Sequence, residues 1–146
     1  MKKLLFFTLL ILLVGCQNKR SIFEQYEISY SRSGGYAPIY ENLLIKENTA
    51  YFFYEGRGSK YEQKVKISPS EKNQLLSALE KNNISGIRAD NKKVYDNITT
   101  TVKLKRADTS IFKDDGSFII PEHQARWANI TSAFESFIKS KNLRRP

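Results

Sequence analysis

Hydrophobic and polar positions alternate with a period of two along most of this chain and switch to a helical period twice. In the stretch Phe23 to Tyr30, Tyr26, Ile28 and Tyr30 fall on one side while Glu27 and Ser29 fall on the other. That pattern predicts a half-buried strand. Ser33-Gly34-Gly35 interrupts it, and Tyr36-Ala37-Pro38 reads as a loop. A second strand is expected over Ile39 to Lys46, with Leu43 and Ile45 inward. Glu47-Asn48 then offers a tight turn into a third, Thr49 to Glu55. In Lys60 to Ile67, Tyr61, Val65 and Ile67 point inward, and Lys60, Glu62, Lys64 and Lys66 point outward. Lysines there also guard a sheet edge against stray pairing.

The first change of period is sharply marked. Ser68-Pro69-Ser70-Glu71 combines a capping serine, proline at the first helical position and a glutamate three residues after the cap. The helix is expected to run to about Asn82, with Leu75, Leu76 and Leu79 on its buried stripe. Ile84 to Asn97 is polar and irregular and reads as a solvated loop. Ile98 to Arg106 alternates again, with Thr100, Val102 and Leu104 opposite Thr101, Lys103 and Lys105. A short strand Thr109 to Lys113 follows, then the turn signal Asp114-Asp115-Gly116. Pro121-Glu122 opens the last helix, in which Trp127, Ile130, Phe134, Phe137 and Ile138 form one stripe at helical spacing.

Strands, helix, strands, helix is the order of an α+β domain. The expected architecture is an antiparallel β-sheet of about five to six strands with two helices packed on one face. Residues 23–141 form its single globular domain, and residues 142–146 a basic tail.

The N-terminus follows a different rule. Lys2 and Lys3 precede eleven residues, Leu4 to Val14, and the segment closes on Leu13-Val14-Gly15-Cys16. A charged start, a short apolar core and a small residue at its end define a secretory signal peptide. The run falls short of the ~18 apolar residues expected of a bilayer-spanning helix. Leu13-Val14-Gly15-Cys16 resembles the lipobox of bacterial lipoproteins. The resemblance implies that residues 1–15 are removed and that Cys16 carries the lipid. It also implies a membrane partner through that lipid, with residues 16–22 as a short tether. Gln17 in place of aspartate after the cysteine points, by the same resemblance, to the outer membrane. Gln17-Asn18-Lys19-Arg20 is not acidic, which favours the periplasmic side. The bulk of the remaining chain resembles small exported lipoprotein domains of uncharacterised function, a likeness of layout that carries no functional residues.

Removal of residues 1–15 takes away Lys2 and Lys3 and leaves 131 residues with 22 basic against 15 acidic side chains, a net charge of +7. A chain that long can bury a core without staples. Cys16 is the one cysteine, so no intrachain disulfide contributes. A basic surface suits anionic lipid, lipopolysaccharide or an acidic protein, and export argues against nucleic acid.

Chemistry is sparse. One histidine, His123, sits at the start of the last helix's buried stripe, where a structural role is expected rather than that of a catalytic base. The carboxylates show no metal-ligand spacing, and Gly56-Arg57-Gly58 precedes a strand, not a helix, unlike a phosphate loop. No enzyme activity, cofactor or metal is expected. What remains is a binding module for an envelope protein or anionic ligand. The expected contact surface is the sheet face without helices, including Phe52, Tyr54, Lys64, Lys66, Lys103 and Lys105. An inhibitor or immunity lipoprotein, blocking an acidic enzyme or toxin through those lysines, is the alternative.

Overall fold

The computed structural model describes residues 25–92 and 94–143. The signal segment, Cys16 and the tether 16–22 lie outside the described residues, as does the end of the basic tail. Six strands, β1 (Tyr26–Gly34), β2 (Ile39–Lys46), β3 (Thr49–Gly56), β4 (Ser59–Lys66), β5 (Ile98–Arg106) and β6 (Thr109–Asp114), form one antiparallel sheet. Its spatial order is β4-β3-β2-β1-β5-β6. Helix α1 (Pro69–Lys81) follows β4, and α2 (Pro121–Ser140) closes the fold.

Short connections fix the register. Lys46 pairs with Thr49, Gly56 with Ser59 and Arg106 with Thr109, so three hairpins turn in two residues each. Arg57 and Gly58 both take positive φ, as such tight hairpins favour. β1 runs further than alternation alone indicates, because it pairs with β5 along its whole length, as far as Gly34 opposite Ile98. Gly34 has φ of +104°, and a Cβ there would sit 2.7 Å from the Asn97 carbonyl oxygen, so glycine ends that strand for two separate reasons.

In-register inward positions build the core. Ile28 and Tyr30 of β1 lie opposite Ile45 and Leu43 of β2, which lie opposite Ala50 and Phe52 of β3. All are buried, and they join Leu75 and Leu79 of α1 with Trp127, Ile130, Phe134 and Ile138 of α2 in one cluster. The Tyr30 and Phe134 rings stack at 4.9 Å.

The α+β class and the strands-helix-strands-helix order hold, but the two helices are not both packed on one face of the sheet as expected. α2 lies along the sheet, with Trp127 near β5 and Glu135 above β1. α1 crosses the end of the strands instead. Its Lys72 Nζ donates to the Glu47 carbonyl in the β2–β3 turn at 3.2 Å, while Leu76 and Leu79 face Tyr26, Leu104 and Ile111. The reason is connectivity. β4 is one edge of the sheet, and the chain leaves it beside that turn, where Ile67 N–H donates to the Asn48 carbonyl. It must then traverse the strand ends to reach β5.

Local signals set the helix ends. Ser68 accepts from the Glu71 amide, and the Glu71 carboxylate accepts from the Ser68 amide at 2.8 Å, a reciprocal capping box. Glu71 also pairs with Lys141, tying the start of α1 to the end of α2. That contact, ahead of the Ser68 amide, holds its carboxyl below the usual range. At this same end of α2, Asn142 is left-handed and its N–H donates to the Lys139 carbonyl, and Leu143 N–H reaches back to the Ile138 carbonyl. This is a Schellman closure with its customary apolar contact. Leu143 is buried, so the globular domain extends past residue 141 into the expected tail. Ile84 to Asn97 also departs from a solvated loop: Ile84 and Ile87 are buried, and Ala89 bridges to Ile119.

Candidate functional site

A strand buries alternate residues, so the set opposite the core defines a second surface. Across β4, β3, β2, β1, β5 and β6 one outward row reads Lys64, Tyr51, Leu44, Ser29, Lys103 and Phe112. The next row places Phe53 beside Asn42, Ser31 and Thr101, and a third brings Lys60, Glu55 and Tyr40 together. These positions meet neither helix's buried stripe.

This face has a definite chemical form. Tyr40, Tyr51 and Phe112 are 46, 41 and 58% exposed. Tyr40 packs edge-on against Phe53 at 5.6 Å, the Lys60 ammonium lies 5.1 Å from the Phe53 ring, and that of Lys64 the same distance from Tyr51. Cations over aromatic faces are mildly attractive, so the lysines are held against the rings. Small hydroxyl side chains of β1 and β5 separate this ridge from Phe112 on β6. Lys46, Lys60, Lys64, Lys66, Lys103 and Lys105 share the face with Glu27, Glu55, Glu62 and Asp114. Its balance is positive, although Lys46 is paired with Glu27 at 3.2 Å.

The expected contact residues therefore divide. Lys64, Lys66, Lys103 and Lys105 are outward and exposed. Phe52 and Tyr54 are not on this surface: they are 2 and 6% exposed and belong to the core. Both sides of β3 carry aromatic rings, so alternation could not say which side faces inward. Pairing with Leu43 decides it, because Phe52 lies directly opposite that buried residue. Their outward counterparts on β3 are Tyr51, which is exposed, and Phe53, which is half-buried.

His123 takes a structural place. Its Nδ1 accepts from the Arg88 backbone N–H at 2.9 Å, fastening the start of α2 to the segment after α1. Desolvation first, then Arg126 and Arg88, hold its pKa below the ordinary value of 6.5. The neutral ring is the form that accepts this bond. The unfolded chain takes up the proton first, so stability present above pH 6.5 is lost as pH falls through the lowered folded value. Denaturant melts between pH 8 and pH 5 are expected to show this loss in the natural chain and a flatter profile in His123→Gln. Equal slopes would show that the imidazole bond does not carry it. Contributions from Glu71 belong to a lower window, beneath its reference value of 4.5.

Among the described residues, no group of three His, Cys, Asp or Glu side chains is placed to hold a metal ion, and no helix is long and apolar enough to cross a membrane. No protein-family model matches this chain, and no curated protein does.

Proposed function

We propose that this chain is a lipid-anchored protein of the bacterial envelope whose open sheet face is a non-enzymatic binding surface for an envelope protein or anionic ligand. The observation that carries the reading is the ridge of Tyr40, Tyr51 and the half-buried Phe53, covered by neither helix among the described residues and flanked by the ammonium groups of Lys60 and Lys64. Exposed aromatic area of this kind marks contact surfaces, and aromatic anchors contribute most of the energy in protein interfaces. The lipobox-like Leu13-Val14-Gly15-Cys16 supports anchoring, and Gln17 supports the outer membrane with the domain facing the periplasm. A short tether then keeps the domain within a few tens of ångströms of the lipid, at ~3.3–3.6 Å per residue.

Cross-linking of the lipidated chain in intact native cells, followed by purification and mass spectrometry, tests this. The expected result is a single stoichiometric partner whose cross-links fall on β2, β3 and β4. Tyr51→Ala combined with Phe53→Ala is expected to weaken that partner's binding by about tenfold or more. Cross-links confined to the helices would overturn the reading.

The outward lysines of β4 and β5 favour a second reading, an inhibitor or immunity protein for an acidic enzyme or toxin. It requires steep weakening by salt and by joint neutralisation of Lys64, Lys66, Lys103 and Lys105. Salt-insensitive binding after that neutralisation would exclude it.

A further inference from the structure

On the side of the sheet away from this face, a cavity of about 620 Å³ opens between α2 and the far ends of β1 and β5. We infer that this cavity binds a short neutral saccharide, with Arg32 at its floor and Phe118 at its rim. The volume lies in the range of small-molecule sites, which hold a few converging polar groups among apolar walls.

Charge selects the ligand class. The lining holds one guanidinium, Arg32, against two carboxylates, Asp115 and Glu135. An anion meets a net negative wall. A cation meets Arg32 and finds the carboxylates engaged: Asp115 accepts from Trp127 Nε1 at 2.9 Å, and Glu135 accepts from the Tyr30 hydroxyl at 2.6 Å. Burial, ahead of Glu135, holds that hydroxyl above the usual phenol range, so it stays a donor. Neither charge sign is favoured.

Hydrogen bonding and shape favour a polyol. Arg32 lines the cavity 3.6 Å from Glu135, with its side chain 25% exposed. A planar fork of N–H donors suits paired oxygen acceptors, and the vicinal hydroxyls of a sugar ring present such pairs without charge. Gln124 and Asn97 add amides that both donate and accept. The Phe118 ring is 62% exposed, yet its backbone is fixed, since its carbonyl accepts from Asp90 N–H at 2.8 Å and the next residue bridges to Ala89. An exposed aromatic ring on an anchored backbone offers a face complementary to the C–H face of a sugar, whose hydrogens meet the ring's negative quadrupole.

The chain contains a single tryptophan, Trp127, and it lines this cavity, so its emission reports occupancy. The full chain is titrated with N-acetylglucosamine trisaccharide and with maltotriose, and separately with inorganic phosphate and spermidine. Calorimetry in parallel detects binding that leaves the indole unchanged. Saturable binding of a saccharide but of neither ion is expected. Phe118→Ala, at an exposed position, is expected to weaken it by about tenfold with an unchanged melt. Arg32→Gln is expected to weaken it as well. No saturation by either saccharide in both measurements, stronger binding of phosphate or spermidine, or unaltered affinity in Phe118→Ala would each overturn the assignment.

Discussion

Phe134→Ala is expected to remove about 3–5 kcal/mol of stability, the largest loss from any single truncation considered for this fold. Phe134 is 1% exposed and stacks on Tyr30, itself 1% exposed, where α2 meets the middle of the sheet. Removal of the ring deletes buried area and leaves a cavity that neither side can collapse into. Tyr30 is held by its hydrogen bond to Glu135, and its strand is paired on both sides. Domains of this size are stable by only about 5–15 kcal/mol, so the variant sits near the edge of folding. Urea titration followed by far-ultraviolet circular dichroism checks this. A midpoint that barely moves would show that α2 is not docked through this residue.

Cys16→Ser is expected to have the largest effect on location. Each acyl methylene buried in a bilayer contributes ~0.8 kcal/mol, and two or more chains hold a protein firmly where one does not. The run Leu4 to Val14 is short for a bilayer span, and no helix among the described residues replaces it. Serine offers no thiol for the lipid. The natural chain is expected in the membrane pellet of detergent-free fractionation, with incorporated label from a fatty-acid probe. The variant is expected to lose the label and to leave the pellet. An unchanged pellet fraction or retained label would sink the proposal that Cys16 is the anchor.

These two outcomes are independent, since one concerns packing among the described residues and the other a modification outside them. Their separation matters for the open sheet face. A core variant that unfolds loses binding for trivial reasons. Tyr51 and Phe53 lie outside the hydrophobic core, so their replacement tests the surface itself.

Much of the fold was legible because its signals are local. Alternation in Ile39 to Lys46 and Ile98 to Arg106 marks both strands to the residue, and Ser68-Pro69-Ser70-Glu71 marks the start of α1. Three two-residue turns leave little freedom in register between neighbours. Leu75, Leu79, Trp127, Ile130, Phe134, Phe137 and Ile138 are buried, as their spacing requires.

The candidate site was only half legible. Lysines at outward positions announce themselves, because a charged side chain is costly to bury. β3 carries Tyr51, Phe52, Phe53 and Tyr54 without a polar break, and rings on both sides erase the period-two signal. Lys72 defeats the same rule in the other direction. It is 1% exposed on α1, where composition places it in solvent, because the Glu47 carbonyl lies within reach of its ammonium. Glu41 is fully buried on β2, between Arg32 and Tyr54 in register; alternation with Leu43 and Ile45 puts it on the inward side, against what its charge alone indicates.

The sequence by itself determined the element types, most of their boundaries, the helix caps and the basic charge balance, since each depends on residues within a few positions of one another. Tertiary structure alone decided which aromatic side of β3 is covered, how α1 crosses the strand ends, and that Arg32, Trp127, Phe118 and Glu135 border one cavity. Those residues come from β1, α2 and the segment between β6 and α2, and they are brought together only when strands distant in sequence pair and helices pack across them.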